Sequence, residues 1–355
     1  MKRQYKNLLL LVVTFALFTG LVGCASDSAG QNDPSKTASA LPEEINFGYL
    51  RVPNDETLAI TEGLFDAYFE EKGIKCNFIT FDSGVQANKA LASGSIDFAT
   101  MGNTNAIIAL ATDIDVEMIW IHEVLGEIEA LAVKNDSGVQ SIEDLEGMKI
   151  ATPFASTSHF VLLNVLKEAG IDDKVQLLDM KTPEIVAAWE RGDIKAAYTW
   201  QPSLGKLLED GKMLISSEDM AKKGYITANV EVVRREFAEK YPELVADFIT
   251  GLAKAGDMYR QDPEKAGDLI AKELEIEVED ALLQMRGSIW CSREELLEEN
   301  YFGVSGQSGE FARIMKDTAD FLKEQGSIDE SPSIEAFNKF VNPLYIEKSL
   351  EKHTE

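Results

Sequence analysis

Short strand-like runs alternate with helical stretches along this chain, and the alternation starts again near residue 130. Residues 45–50 (INFGYL), 75–81, 96–101 (IDFATM) and 116–122 (VEMIWIH) have strand character. Between them, 57–71 carries Leu58, Leu64, Phe65 and Tyr68 at helical spacing. Residues 86–92 form a short helix closed by Ser93-Gly94, and 105–111 form another. Strands that alternate with helices predict βαβ units and a mostly parallel sheet. The second round predicts strands at 130–134, 149–152, 175–178, 196–200 and 230–234. Its helices fall at 141–145, 158–169, 183–190 and 204–209, and from 235 onward helices dominate. The roughly 310 residues beyond the N-terminal region exceed one typical core and suit two. The expectation is an α/β fold of two lobes with a ligand cleft between them. Lobe 1 takes 43–129 plus 232–345 and lobe 2 takes 130–231, with a hinge where the chain crosses near Glu129-Ala130 and 229–231.

The N-terminus bears on location. Lys2, Arg3 and Lys6 precede an apolar run at 8–21, about the length of a signal-peptide core and short for a tilted membrane span. The run ends in Leu21-Val22-Gly23-Cys24, followed by Ala25-Ser26, which resembles the bacterial lipobox. That resemblance implies a lipoprotein signal peptide at 1–23 and a lipid, such as palmitate, on the Cys24 thiol. It puts the rest of the chain on the extracytoplasmic face of the membrane. Residues 24–42, dominated by Ser and Ala with Asp, Asn and a lone Gly, read as a flexible tether.

The formal charge of −27 argues against nucleic acid. It also means that an anionic ligand meets a repulsive field, screened beyond about 10 Å. Local donors must then hold it, and helix N-termini with hydroxyls supply them without a formal positive charge. Beyond Cys24 there are two cysteines, Cys76 and Cys291, read as buried thiols. With three histidines and no CxxC or HExxH spacing, no metal site and no cofactor are expected.

Three strand ends carry the candidate site. Pro153-Phe154-Ala155-Ser156-Thr157-Ser158-His159 follows a strand and opens a helix. Ser156, Thr157 or Ser158 stands at its N-cap, which makes an anion cradle of Ser156, Thr157 and His159. Gly102, Asn103 and Thr104 occupy the matching position in the other unit. Trp200 ends a strand, where an aromatic can wall a pocket. Asp82-Ser83-Gly84 is a similar loop, read as a turn.

Together these segments resemble the taurine-binding proteins of the nitrate, sulfonate and taurine ABC-importer family. The runs that carry the resemblance include FDSG at 81–84, PFASTSHF at 153–160 and PEIVAAWERGDIKAAYTWQP at 183–202, continued by FLKEQG and FVNPLY near the end. The resemblance covers essentially the whole chain beyond the tether. It implies a periplasmic-binding-protein type II fold and capture of taurine or a related small alkanesulfonate. It also implies delivery to ABC permease subunits with a cytoplasmic ATPase. Isethionate, nitrate and small carboxylates make overlapping demands on such a site. The chain departs from the family pattern at 50–57 and at Gly102 to Thr104. It departs again at Asn229, where an aspartate is expected; Glu231 or Glu129 could stand in as partner for a ligand ammonium. A pyrimidine-synthase-like enzyme has a similar fold, but Ser156 and His159 lack an orienting acid in sequence. The expected function is therefore binding, not catalysis.

Overall fold

The computed structural model describes residues 40–351. The expected signal peptide, Cys24 and the tether up to residue 39 lie outside the described residues. The first round runs β1 (Glu44–Leu50), α1 (Asp55–Thr61), α2 (Asp66–Phe69), β2 (Lys75–Phe81), α3 (Gly84–Ser93), β3 (Phe98–Gly102), α4 (Asn103–Ala111) and β4 (Val116–Leu125). The second runs β5 (Glu129–Lys134), β6 (Lys149–Thr152), α5 (Thr157–Ala169), β7 (Gln176–Asp179), α6 (Thr182–Glu190), β8 (Ala196–Trp200), α7 (Ser203–Leu208), β9 (Gly211–Ser216) and α8 (Ser217–Ala221). After β10 (Ala228–Arg234) come α9 (Arg235–Lys240), α10 (Pro242–Gln261), α11 (Pro263–Leu274), α12 (Val278–Arg286) and the short β11 (Ser288–Ile289).

Two sheets result. The first has the order β11-β4-β10-β3-β1-β2 and the second β7-β6-β8-β5-β9. Both are mixed rather than mostly parallel. β1 runs parallel to β2 and β3, and β6 parallel to β7 and β8. β10 is antiparallel to β3 and β4, and β5 is antiparallel to β8 and β9. Strand direction is set by where the chain re-enters a sheet, and local periodicity carries no record of that. β9, at Gly211–Ser216, is a strand that the sequence reading did not include.

The expected lobe limit at 231/232 falls inside β10, all of which pairs in the first sheet. The crossings between sheets therefore lie at 126–128 and, after α8, at 222–227. The expected helix over 57–71 is also corrected. Gly63 adopts φ +63°, a left-handed conformation that closes α1 and leaves α2 a single turn.

Phe47 of β1 is the centre of the larger core, with Phe78 and Phe248 each 5.1 Å from its ring and Phe98 at 4.9 Å. Phe248 comes from α10, so the C-terminal helices complete the core begun by the first sheet. In β5 the period of two is plain. Leu131 and Val133 face one apolar cluster, and Ala130 and Ala132 face another that contains Trp189. The second sheet is thus covered on both sides. Cys76 and Cys291 are free thiols, and burial pushes Cys76 up to about 12.

Candidate ligand-binding cleft

Loops at the carboxyl ends of the parallel strands in both sheets face one cavity of about 360 Å³, within the size range of small-molecule sites. From the first sheet come Arg51, Ser83, Gly84 and Gly102, with Glu123 of β4 and Asn229 of β10. From the second come Glu129, Phe154 to Thr157, and Trp200.

Three helices point their N-termini into this space. Ser83 precedes α3 and Gly102 precedes α4, and neither helix has a side-chain cap. Ser156 caps α5 by accepting from the His159 amide. Free first-turn amides and three positive dipole ends therefore converge. Close packing keeps them together. A Cβ on Gly84 would meet Asn105 at 2.5 Å, and one on Gly102 would meet the Thr157 methyl at 2.8 Å. Asn105 of α4 donates to the carbonyl of Ala155 at 2.8 Å, so the two walls already touch.

The cradle before α5 is built differently from the simple hydroxyl cluster its sequence suggests. Ser156 gives its proton to the Pro153 carbonyl at 2.6 Å. Thr157 and Ser158 give theirs to Glu129. No hydroxyl proton of the three is left for a ligand, so the backbone amides are the donors. Ala155 holds φ +57°, a left-handed conformation that aims this loop. His159 does not line the cleft. It accepts from the Ala155 amide at 3.3 Å and stacks on Phe154 at 4.3 Å. Burial draws its pKa down to about 4, so it is a neutral prop.

Gly102, Glu129, Ser156, Thr157, Trp200 and Asn229 line the cavity, whereas Asn103, Thr104 and Glu231 do not. Asn103 turns inward and accepts from the Ala228 amide at 3.3 Å, and Thr104 is fully buried. Glu129 starts β5 and collects Thr157, Ser158, Ser217 and Thr227 as donors. Burial raises its pKa and these hydroxyls oppose the rise. It is a buried knot at the first crossing between the sheets.

Glu231 sits deeper in the first sheet. His122 lies between Asp55, 2.6 Å from Nδ1, and Glu231, 2.9 Å from Nε2. Trp120 donates to the other Asp55 oxygen, and the Thr100 hydroxyl lies within hydrogen-bond reach of both Glu56 and Glu231 and can donate its one proton to either. Burial alone would strip the charge from His122, but Asp55 and Glu231 hold its pKa well above the ordinary value. Burial raises both Glu56 and Glu231. Glu56, His122 and Glu231 offer ligand atoms within 4.8 Å of one another, a grouping that no sequence spacing announced.

Glu123 is the residue that sequence reasoning missed. Its carboxylate lines the cavity and accepts from Asn229 Nδ2 at 2.5 Å. A glutamate near the end of a strand buried along its whole length is unusual enough to have flagged it.

The family model described as NMT1/THI5 like matches residues 63–266. The taurine-binding periplasmic protein of Escherichia coli (strain K12) is 35% identical over 272 residues, covering 74% of this chain and 82% of that one. Two solved structures share the fold. The periplasmic aliphatic sulphonate binding protein SsuA from Escherichia coli has a TM-score of 0.70 at 22% identity, covering 83% of this chain and 92% of that one. The alkanesulfonate-binding protein SsuA from Xanthomonas axonopodis pv. citri, bound to MOPS, has a TM-score of 0.68 at 20% identity, covering 86% and 99%.

Proposed function

The chain belongs to the family described as NMT1/THI5 like, and on that footing we propose that it captures taurine or a related small alkanesulfonate for an ABC importer. In this reading it is anchored outside the cytoplasmic membrane through Cys24 and hands its ligand to permease subunits driven by a cytoplasmic ATPase. The observation that carries the reading is the convergence of the α3, α4 and α5 N-termini on one cleft. A sulfonate is ionised at every physiological pH and has three equivalent oxygens. It needs donors from several directions and no acceptor, and first-turn amides with aligned dipoles meet that need. They do so inside a chain whose overall charge is −27.

Binding rather than catalysis fits both the relatives and the geometry. The Ser156 hydroxyl is spent on a carbonyl, and His159 accepts from a backbone amide. Each sheet supplies part of the cradle, so full coordination requires the two walls to close, and a ligand stabilises that closed state. Titration calorimetry of the purified protein with taurine, ethanesulfonate, isethionate, nitrate and glycine betaine tests the reading. Binding of the sulfonates, with compaction in small-angle scattering, is the expected result. Nitrate or glycine betaine binding in their place defeats it.

A further inference from the structure

The floor of the cleft holds a carboxylate with unused capacity. Glu123 is 1% exposed, and its Oε2 is buried with no hydrogen-bond partner, while Oε1 takes the Asn229 amide. An unpaired acceptor buried in this way carries a desolvation cost unless something fills the vacancy. Asn54 lies close enough to favour the charged form, yet its amide nitrogen is itself buried without a partner. Arg51 and Lys181 also line the cavity, but Arg51 donates to the Glu273 carbonyl, and neither figures among the charges acting on Glu123.

Position gives this carboxylate a meaning. Asn229 of β10 pairs with Gly102 of β3 on one side and with Glu123 of β4 on the other. Glu123 and the Gly102 amide cradle are therefore two strand spacings apart, about 10 Å between backbones. The glutamate side chain spans part of that gap. What remains suits a ligand whose two ends are only a few bonds apart.

We propose that Glu123, oriented by Asn229, receives a positively charged group of the ligand, so that the preferred ligand is a short zwitterion with its anion at the helix N-termini. This rests on the sulfonate reading for the anionic end. It assigns the ammonium of an aminoalkanesulfonate to Glu123 and not to Glu231 or Glu129. Glu231 does not line the cavity and packs against His122 and Thr100 in the core, and both oxygens of Glu129 are taken by four hydroxyls. The ammonium fills the acceptor left open at Oε2, and Asn229 keeps the carboxylate from rotating away.

The test is calorimetry with taurine, ethanesulfonate and β-alanine on the wild type, Glu123→Gln and the double variant Glu123→Gln/Asn229→Asp. Glutamine keeps the shape and removes the charge. Glu123→Gln is expected to weaken taurine about ten- to a hundred-fold, the usual effect of losing a hydrogen bond to a charged group. Ethanesulfonate, which has no cation, is expected to change by less than about three-fold. The double variant moves the acid across the same pair and is expected to regain part of the taurine affinity. Equal losses for taurine and ethanesulfonate, or no loss of taurine, overturn the proposal. A wild type that binds ethanesulfonate but not taurine also overturns it. If β-alanine binds in place of taurine and is lost in Glu123→Gln, the sulfonate reading falls and the cation site stands.

Discussion

Asp55, the first residue of α1, meets His122 of β4 with 2.6 Å between Oδ1 and Nδ1. The aspartate fixes the imidazole so that Nε2 faces Glu231. It thereby keeps Glu231 in the core and leaves Glu123, one residue along β4, as the carboxylate at the cleft.

Removing that imidazole should be costly. His122→Phe leaves Asp55 and Glu231 buried without their shared cation, a change that typically costs about 3–5 kcal/mol. Urea denaturation reads this as a lowered midpoint, and a midpoint equal to the wild type refutes it. The same cluster sets the pH trend. A histidine pKa raised by folding contributes stability that is complete below the unfolded value of 6.5 and is lost as pH climbs through the folded value. Glu56, Glu123 and Glu231 act in the same direction, because above the ordinary value of 4.5 they keep protons that the unfolded chain has released. The urea midpoint should fall from pH 5.5 to pH 8.5. A rise across that range counts against the buried charge assignment.

Ligand affinity should show opposite pH trends for the two ligand classes. Burial raises Glu123 to about 8, with His122 and Asn229 lowering it, Asp55 raising it and Asn54 lowering it. Arg51, Asp82, Glu129 and Lys181 are the other charged groups around the cleft. An ammonium binds the ionised form, so taurine affinity should climb from pH 6 to about 8, with a proton released on binding. Ethanesulfonate carries only an anion and prefers the protonated form, so its affinity should hold below that range and decline above it. Parallel profiles for the two ligands, or buffer-independent binding heats, contradict the assignment.

Gly102→Ala tests closure of the cleft. The added Cβ would lie 2.8 Å from the Thr157 methyl, a contact between α4's N-cap and the first residue of α5. Opening the cleft relieves it without disturbing either core. Taurine affinity should drop at least about ten-fold while the melting temperature of the ligand-free protein stays nearly unchanged. Unaltered affinity would mean that the walls need not approach this closely.

Cys24→Ser tests the anchor. If the thiol carries the lipid, the variant should leave the membrane fraction and fail to incorporate labelled palmitate. Membrane retention of a processed chain speaks against a lipid at that position.

The sequence by itself determined the order of elements, because each strand and helix writes its own period into its own residues. It also marked the cradle before α5, since Ser156 at an N-cap is a local signal, and Trp200 at the end of β8. Only the tertiary structure decided what those residues have left to offer. Ser156 and Thr157 look like ligand donors until Pro153 and Glu129 are seen to take their protons. Glu231 and Glu123 are both acids on apolar strands. One is held in the core and the other is left facing the cleft by the antiparallel pairing of β10 with β4 and by the register shifts in that pairing. Register and strand direction are settled by contacts more than a hundred residues apart in the chain, as between His122 and Glu231. Periodicity within a window of a dozen residues carries no trace of them.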